Sequence, residues 1–455
     1  MSAGHDASET AQLVRSGRLS GREAVEEALR AIEAAEEAVN AFTVVRAEEA
    51  LAEADALDAA ERSGPLHGVP VSIKDVLWVR GVRTTNGTQR FAEFFPSEDT
   101  VLVERLRAAG AIVVGKTNNP ELCLDGFTAN ELFGITRNPW DLERTPGGSS
   151  GGAAASVACG GPLAVGTDGG GSIRIPSSFC GVAGLKPTFG LVPVEPGFRG
   201  WPTLSVAGPI ARSVRDLELV LDVVAGADAR DPRSVGAARP EAPPTLRIAA
   251  SEDLGFAPVE PDVRAAFRGV VDQIADAGFS VEDAHPETGD STDLWMRIAL
   301  SEGHASCRAV LGSLGPRAQE FIAAGAEVSA AEYLDAQDER ARFTRAWLEF
   351  LRRYDLLLTP AMQLTAFPVG QVMPAEIEGR PVDPEREDWC VFCYPANLTG
   401  QPAASVPCGF DRDGLPIGLQ ILGRRFDERT VLRLAAAWEE IAPWADAVPP
   451  VGAAR

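Results

Sequence analysis

The sequence predicts an α/β fold, on three observations. Short β-branched runs alternate with amphipathic segments of helix length, the alternation resumes after a proline-rich interruption, and apolar residues make up 45% of 455 positions, enough for a large core. Ser20-Gly21-Arg22-Glu23 reads as a capping box, in which hydroxyl and carboxylate satisfy the free N–H groups of a first turn. The helix it opens runs to about Ala35 and places Val25, Ala28, Leu29 and Ile32 on one face. A second helix covers 47–60. Residues 69–73 form a short buried strand that delivers Lys74 at its end. Residues 100–109 have helical spacing, Gly110 ends that helix, and 111–114 read as strand. Small residues at 153–158 suit a helix, 163–166 a strand, and 213–225 an amphipathic helix. The stretch 228–244, rich in Pro, Ala, Asp and Arg, is the one convincing linker. Beyond it come a strand at 246–250, a helix at 261–277, a strand at 279–281, helices through 293–351, and a return to the sheet at 356–358. This order implies helices layered on a mostly parallel sheet. No internal repeat is visible.

Composition excludes several classes. A formal net charge of −23 argues against nucleic acid, whose phosphates require clustered Lys and Arg, and against a polybasic membrane surface. The first thirty residues carry no basic-then-apolar signal, and no apolar run reaches the length of a membrane span, so a cytoplasmic location is the default. Seven cysteines in so long a chain do not make a disulfide framework. Cys390 and Cys393 have CxxC spacing, but no second CxxC exists, and His5, His67, His285 and His304 are scattered without ligand spacing. Buried structural thiols are expected, with no metal.

The chemistry concentrates in 145–187. Two serine-bearing glycine turns, Gly147-Gly148-Ser149-Ser150-Gly151-Gly152 and Gly169-Gly170-Gly171-Ser172, flank a small apolar run. Glycine lets backbone N–H groups approach a ligand closely, so each serine is poised for anion binding or acyl chemistry. A serine hydroxyl is a weak nucleophile until a base takes its proton. Among the histidines only His67, beside Gly68 and Pro70, lies near a motif, and nothing suggests a role for it. Lys74 can serve if burial keeps its amine neutral. Asp75 follows directly, but strand neighbours face opposite sides, so it need not neutralise Lys74. The amides of Gly169, Gly170, Gly171 and Ser172 can form an oxyanion hole with no side chain in the way. Asp168 and Arg174 are close enough to pair and stiffen that loop. A decoy lies at 110–117, GAIVVGKT, which matches the phosphate-loop pattern. That pattern requires strand, loop and then helix; here a helix precedes Gly110 and strand follows, so nucleotide binding is rejected.

These motifs resemble those of the amidase signature family, the serine hydrolases with a Ser–cis-Ser–Lys triad. The resemblance rests on 68–75, 107–119, the two serine turns, Gly184-Leu185-Lys186-Pro187-Thr188, Gly208-Pro209-Ile210-Ala211-Arg212-Ser213 and 397–420, in the family's order along nearly the whole chain. One departure is a trimmed turn near Cys159-Gly160-Gly161-Pro162, one residue shorter than the family pattern. The resemblance implies a single compact domain with a large mixed β-sheet covered by helices on both faces, and makes 228–244 a surface excursion. It assigns Ser172 as nucleophile, Ser149 as the bridging serine after a cis peptide, and Lys74 as base, with no cofactor. It points to a small-molecule amide as substrate. The variant signature and the segment 197–204 resemble free-standing amidases more than the A subunit of the glutamyl-tRNA amidotransferase, which passes ammonia to a partner. A homodimer stays open, and a catalytically dead binding protein is the third alternative. Loops expected around Ser172 offer Trp78, Cys123, Asp125, Phe127, Trp201, Trp389, Phe392, Tyr394 and Asn397 as pocket residues, a set suited to apolar or aryl acyl groups. The nearest flavour is that of acylamidases and hydrolases of aminohexanoate oligomers.

Overall fold

Eleven strands form one continuous sheet in a computed structural model that describes residues 5–60, 64–161, 163–198, 200–238 and 240–451. In chain order they are β1 Phe42–Val45, β2 Pro70–Lys74, β3 Ile112–Thr117, β4 Leu163–Asp168, β5 Ala183–Lys186, β6 Val206–Ala211, β7 Arg247–Ala250, β8 Ser280–Asp283, β9 Leu356–Pro360, β10 Ala403–Phe410 and β11 Pro416–Gly423. Their spatial order is β1-β3-β2-β4-β6-β5-β10-β11-β9-β7-β8. The strand–helix–strand reading predicted a mostly parallel sheet, and this is corrected. Parallel pairs join β3-β2-β4 on one side and β9-β7-β8 on the other, but every pairing from β4 through β6, β5, β10 and β11 to β9 is antiparallel. The two parallel wings are what local alternation reveals. The antiparallel centre joins segments far apart in sequence, such as β5 and β10, which no local pattern encodes.

Alternation along each strand feeds two cores. Val113 packs into one, while its neighbours Ile112 and Val114 pack into the other. Likewise Leu356 and Leu358 face one side and Leu357 the opposite. Helices therefore cover both faces. Gly21–Val39 carries the capping box, with Ser20 and Glu23 each satisfying the other's backbone N–H. Ala47–Asp58, Val101–Ala108, Gly151–Ala158, Val214–Val224 and Pro261–Asp276 lie within a few residues of their predicted bounds. Helix Gly151–Ala158 ends at Cys159, and Gly161 N–H caps it on Ser156. Pro162, the last residue of the trimmed turn, lies outside the described residues. So do Arg199 and Arg239, within 197–204 and 228–244. Among its described residues the excursion 228–244 carries no helix or strand, and it is tied down by Val235 N–H on Gly190 O at 2.8 Å. No described helix is long and apolar enough to cross a membrane.

The false phosphate loop has a structural task. Gly110, at φ 91°, turns the chain out of helix Val101–Ala108, and the following residues run straight into β3. The strand buries Lys116 completely, with its Nζ 3.2 Å from Asp75 Oδ1 and donating to Leu77 O and Thr84 Oγ1. Removing one partner of a buried ion pair strands the other charge, at a cost of about 3–5 kcal/mol. Lys116→Met should therefore lower the stability measured by urea unfolding by about that amount. Adding Asp75→Asn to it should recover a large part of the loss; equal losses in the single and double variants would refute the pairing.

Candidate active site

Three segments converge at the ends of β2 and β4. Lys74 is the last residue of β2 and has no exposed surface. Its Nζ donates to Ser149 Oγ at 2.7 Å and to Thr167 Oγ1, near the end of β4, at 2.9 Å. Burial lowers the Lys74 pKa from its ordinary value, with Cys123 and Asp168 opposing the shift. The amine is therefore held toward its neutral form. Asp75 points away into the Lys116 pair, as strand alternation implies. The Gly148–Ser149 peptide is cis. Gly148 has no room for a side chain, since a Cβ there would lie 2.3 Å from Phe127 O. Ser150 is engaged elsewhere; its hydroxyl donates to Thr167 O, and its N–H donates to Ser172 O at 3.1 Å, tying the two serine turns together.

Ser172 sits between β4 and helix Arg174–Cys180, at the end of the triglycine turn. That turn is glycine because aromatic walls press on it. A Cβ at Gly169 would come within 2.5 Å of Trp201 Cε3, and one at Gly170 within 2.5 Å of Trp295 Cζ2. Gly171 adopts φ 126°, where side chains are rarely found. Asp168 clamps the turn from below, accepting from Gly171 N–H at 2.9 Å and Ile173 N–H at 3.1 Å. This corrects the set of four oxyanion donors. The Gly171 amide is held by Asp168, which leaves those of Gly169, Gly170 and Ser172. Arg174 does pair with Asp168, at 2.9 Å, with both side chains fully buried. Burial pushes the Asp168 carboxyl up, but Arg174, Lys186 and Asn397 more than reverse this and hold it well below the usual carboxylate range.

The cavity above Ser149 and Ser172 is walled by Val76, Leu122, Val194, Phe198, Trp201 and Val206. A smaller recess on the other side of Ser172 is lined by Cys123, Asp125, Trp295, Trp389 and Tyr394.

The sequence profile of the amidase family matches residues 23–432. Over 97% of its length the chain is 38% identical to an acylamidase of Rhodococcus erythropolis, covering 96% of that protein. The chain belongs to the amidase signature family. It is 36% identical to the A subunit of the glutamyl-tRNA(Gln) amidotransferase of Roseiflexus sp., with 97% of each chain covered. Among solved structures, a bacterial aryl acylamidase of the amidase signature family superposes with a TM-score of 0.91 at 30% identity, covering 99% of both chains. The 6-aminohexanoate cyclic dimer hydrolase complexed with substrate gives 0.90 at 32% identity, over 98% of this chain and 99% of the other. The chain is an amidase that hydrolyses amides.

Of the pocket residues anticipated from the sequence, this amidase brings Cys123, Asp125, Trp201, Trp389 and Tyr394 to the cavity walls. Four others lie outside both linings. Trp78 packs on Phe94 with ring centroids 5.4 Å apart. Phe127 supports Gly148 through its backbone, and Arg317 lies over its ring. Phe392 is buried, and its carbonyl accepts from Gln420. Asn397 braces the catalytic loop instead, donating to Asp168 Oδ1 at 2.9 Å and accepting from Arg174 at 2.6 Å. Asp125 is already paired with Arg317, which also binds Glu387 at 2.8 Å. Cys390 and Cys393 are buried free thiols, and the Cys390 Sγ contacts Tyr394 Oη at 3.1 Å. His67 packs behind Gly110, at the end of β2 away from Lys74.

Several wall residues escaped the sequence reading, Arg233 and Trp295 among them. Arg233, from the excursion 228–244, reaches the cavity and pairs with Glu195 at 2.8 Å. Trp295 donates from Nε1 to Gly169 O at 3.0 Å and stacks on Tyr394 with centroids 4.4 Å apart. Both lie more than sixty positions from Ser172 in ordinary helical or loop context, so no local signal marks them. Trp295→Phe keeps an aromatic ring, though a smaller one, and removes the bond to Gly169. It should lower kcat on the order of fivefold to tenfold, the worth of about 1 kcal/mol, with KM little changed. Wild-type kcat in that variant would show that the bond does not position the loop.

Proposed function

We propose that this amidase cleaves its substrate through an acyl-enzyme on Ser172, with Ser149 relaying protons to Lys74. The observation that carries the reading is the 2.7 Å contact between a fully buried lysine amine and the Ser149 hydroxyl, at the floor of the cavity that also holds Ser172. The Ser172 hydroxyl attacks the amide carbon while its proton passes through Ser149 to the Lys74 amine. The developing oxyanion faces the amides of Gly169, Gly170 and Ser172, and losing one such donor costs about 3–4 kcal/mol. The relay then runs backward: Lys74 returns its proton through Ser149 to the leaving nitrogen, and ammonia or an amine departs. Water attacks the acyl-enzyme by the same route and frees the acid.

The walls support an apolar or aryl acyl group: Val76, Leu122, Val194, Phe198 and Trp201 offer it shape, and the two charged wall residues, Arg233 and Glu195, are paired with each other. Free-standing action is favoured over an amidotransferase role by the closer superposition on the aryl acylamidase, TM-score 0.91, than on the A subunit of the Thermotoga maritima amidotransferase, 0.81. The second reading draws on the 36% identity to the corresponding Roseiflexus protein. Glutaminase activity together with co-purification of a second protein chain would establish it in place of the first.

Ser172→Ala should cut turnover on the order of 10⁴-fold or more while leaving the unfolding midpoint unchanged. Ser149→Ala should be severe but leaky. A fluorophosphonate probe should label Ser172 in the wild type and not in Ser172→Ala; undiminished labelling would place the nucleophile elsewhere. The pH dependence follows from Lys74, which acts only when neutral. Because burial lowers its pKa, kcat/KM should rise with pH through a limb below the ordinary lysine range and plateau above it. Lys74→Arg, whose guanidinium stays charged at every accessible pH, should abolish activity across the whole profile.

A further inference from the structure

We propose that Thr167 is a positioning residue of the proton relay: its hydroxyl takes one N–H of the Lys74 amine and so turns the lone pair of that amine toward Ser149. The inference rests on the acyl-enzyme reading above.

A neutral amine has two N–H groups and one lone pair, and it turns easily about its last C–N bond. To accept the Ser149 proton, the lone pair must face Ser149 Oγ, 2.7 Å away. An amine held by Ser149 alone can equally well turn an N–H toward it and act as a donor. Among the described residues Nζ has one other hydrogen-bond partner, Thr167 Oγ1 at 2.9 Å. Once that oxygen accepts an N–H, the amine is fixed at two points and its lone pair is aimed. Thr167 lines the same cavity as Ser149 and Ser172, so the contact lies at the reaction centre.

The local structure holds this hydroxyl in place. Pairing of β2 with β4 covers Ser72–Ala164 and Ile73–Val165, and Thr167 lies two residues past it. There Ser150 stands in for the missing strand: its hydroxyl donates to Thr167 O at 3.2 Å and accepts from Thr167 N–H at 3.3 Å. Gly166 permits that approach, since a Cβ there would lie 2.6 Å from Ser150 Oγ. On its other edge Thr167 pairs with Ala207 of β6. With the backbone fixed on both edges, a β-branched side chain has few χ1 choices, and its oxygen is delivered to one point. A carboxylate in this position would hold Lys74 as an ammonium, whereas a hydroxyl accepts an N–H without bearing charge. It favours the ammonium only modestly, because a hydrogen bond from a charged donor is stronger than one from a neutral donor. The titratable groups around the amine are Asp168 at the end of β4, paired with Arg174, and the Cys123 thiol on the cavity wall, pushed up by burial. Asp75, beside Lys74 in β2, is engaged by Lys116. Removing the Thr167 hydroxyl leaves all of these in place, lowers the Lys74 pKa and loosens the aim of its amine.

The experiment is the rate of fluorophosphonate labelling of Ser172 against pH, a readout independent of which amide is the substrate. Thr167→Val keeps the branched shape and removes the hydroxyl, and Thr167→Ser keeps the hydroxyl and removes the methyl. Thr167→Ala is a second hydroxyl-free variant should Thr167→Val not fold, and urea-unfolding midpoints identify the folded proteins. The plateau rate should fall on the order of tenfold in Thr167→Val and Thr167→Ala, and the acid limb should move to lower pH by about half a unit or more. Thr167→Ser should restore most of both. A general loosening of the loop would lower the plateau and leave the limb in place, so an unmoved limb overturns the proposal. So would Thr167→Val and Thr167→Ala profiles that superimpose on wild type, or a Thr167→Ser profile no better than that of Thr167→Ala. If Lys74→Arg labels normally, the relay itself is wrong; if it is dead while Thr167→Val labels as wild type, only the role of Thr167 falls.

Discussion

A buried lysine is useful as a base only if no carboxylate claims it, and the site is organised around that constraint. Two carboxylates lie near Lys74, and each has its own cation. Asp75 faces Lys116, supplied by the neighbouring strand β3, and Asp168 faces Arg174, supplied by the helix that follows the nucleophile turn. The amine is left with the hydroxyls of Ser149 and Thr167. Desolvation then outweighs the groups that oppose it, which moves a lysine toward the range where it can take a proton. The two buried ion pairs contribute little net stability; they neutralise the carboxylates nearest to Lys74.

The same pairs also set geometry. Asp168 holds the Gly171 and Ile173 amides, so the turn bearing Ser172 is pinned from beneath, while Asn397 and Gln420 lock Arg174 in place. From above, Trp295 and Trp201 press against Gly169 and Gly170. The turn is rigid although it is glycine-rich. Small residues here allow close approach by neighbours, and that approach removes the freedom that glycine would otherwise confer. A preorganised donor set of this kind needs no rearrangement when charge develops on the substrate oxygen.

Legibility in the sequence follows the range of the interaction. The capping box at Ser20, the strand ending in Lys74 and the two serine turns are local patterns, and each stands where the pattern places it. Rejecting a phosphate loop at 110–117 is likewise a local matter, since it turns on element order. The pocket is legible only in part. Trp78 and Trp389 are alike as sequence features, yet one packs on Phe94 and the other lines the recess beside Ser172. Asn397, read as pocket, is a brace, because its amide meets Asp168 across the antiparallel centre of the sheet.

By itself the sequence determined the family, the α/β class, and the placing of the two serine turns and of Lys74 at a strand end, because short motifs encode backbone shape within a few residues. Tertiary structure decided the antiparallel join between the two parallel wings, the burial that lowers the Lys74 pKa, and which aromatics touch the cavity. Those depend on what lies across space: Lys116 opposite Asp75, Trp295 over Gly170, Arg233 at the cavity wall. Burial and pairing are properties of a packed interior, and they exist only once distant segments have been brought together.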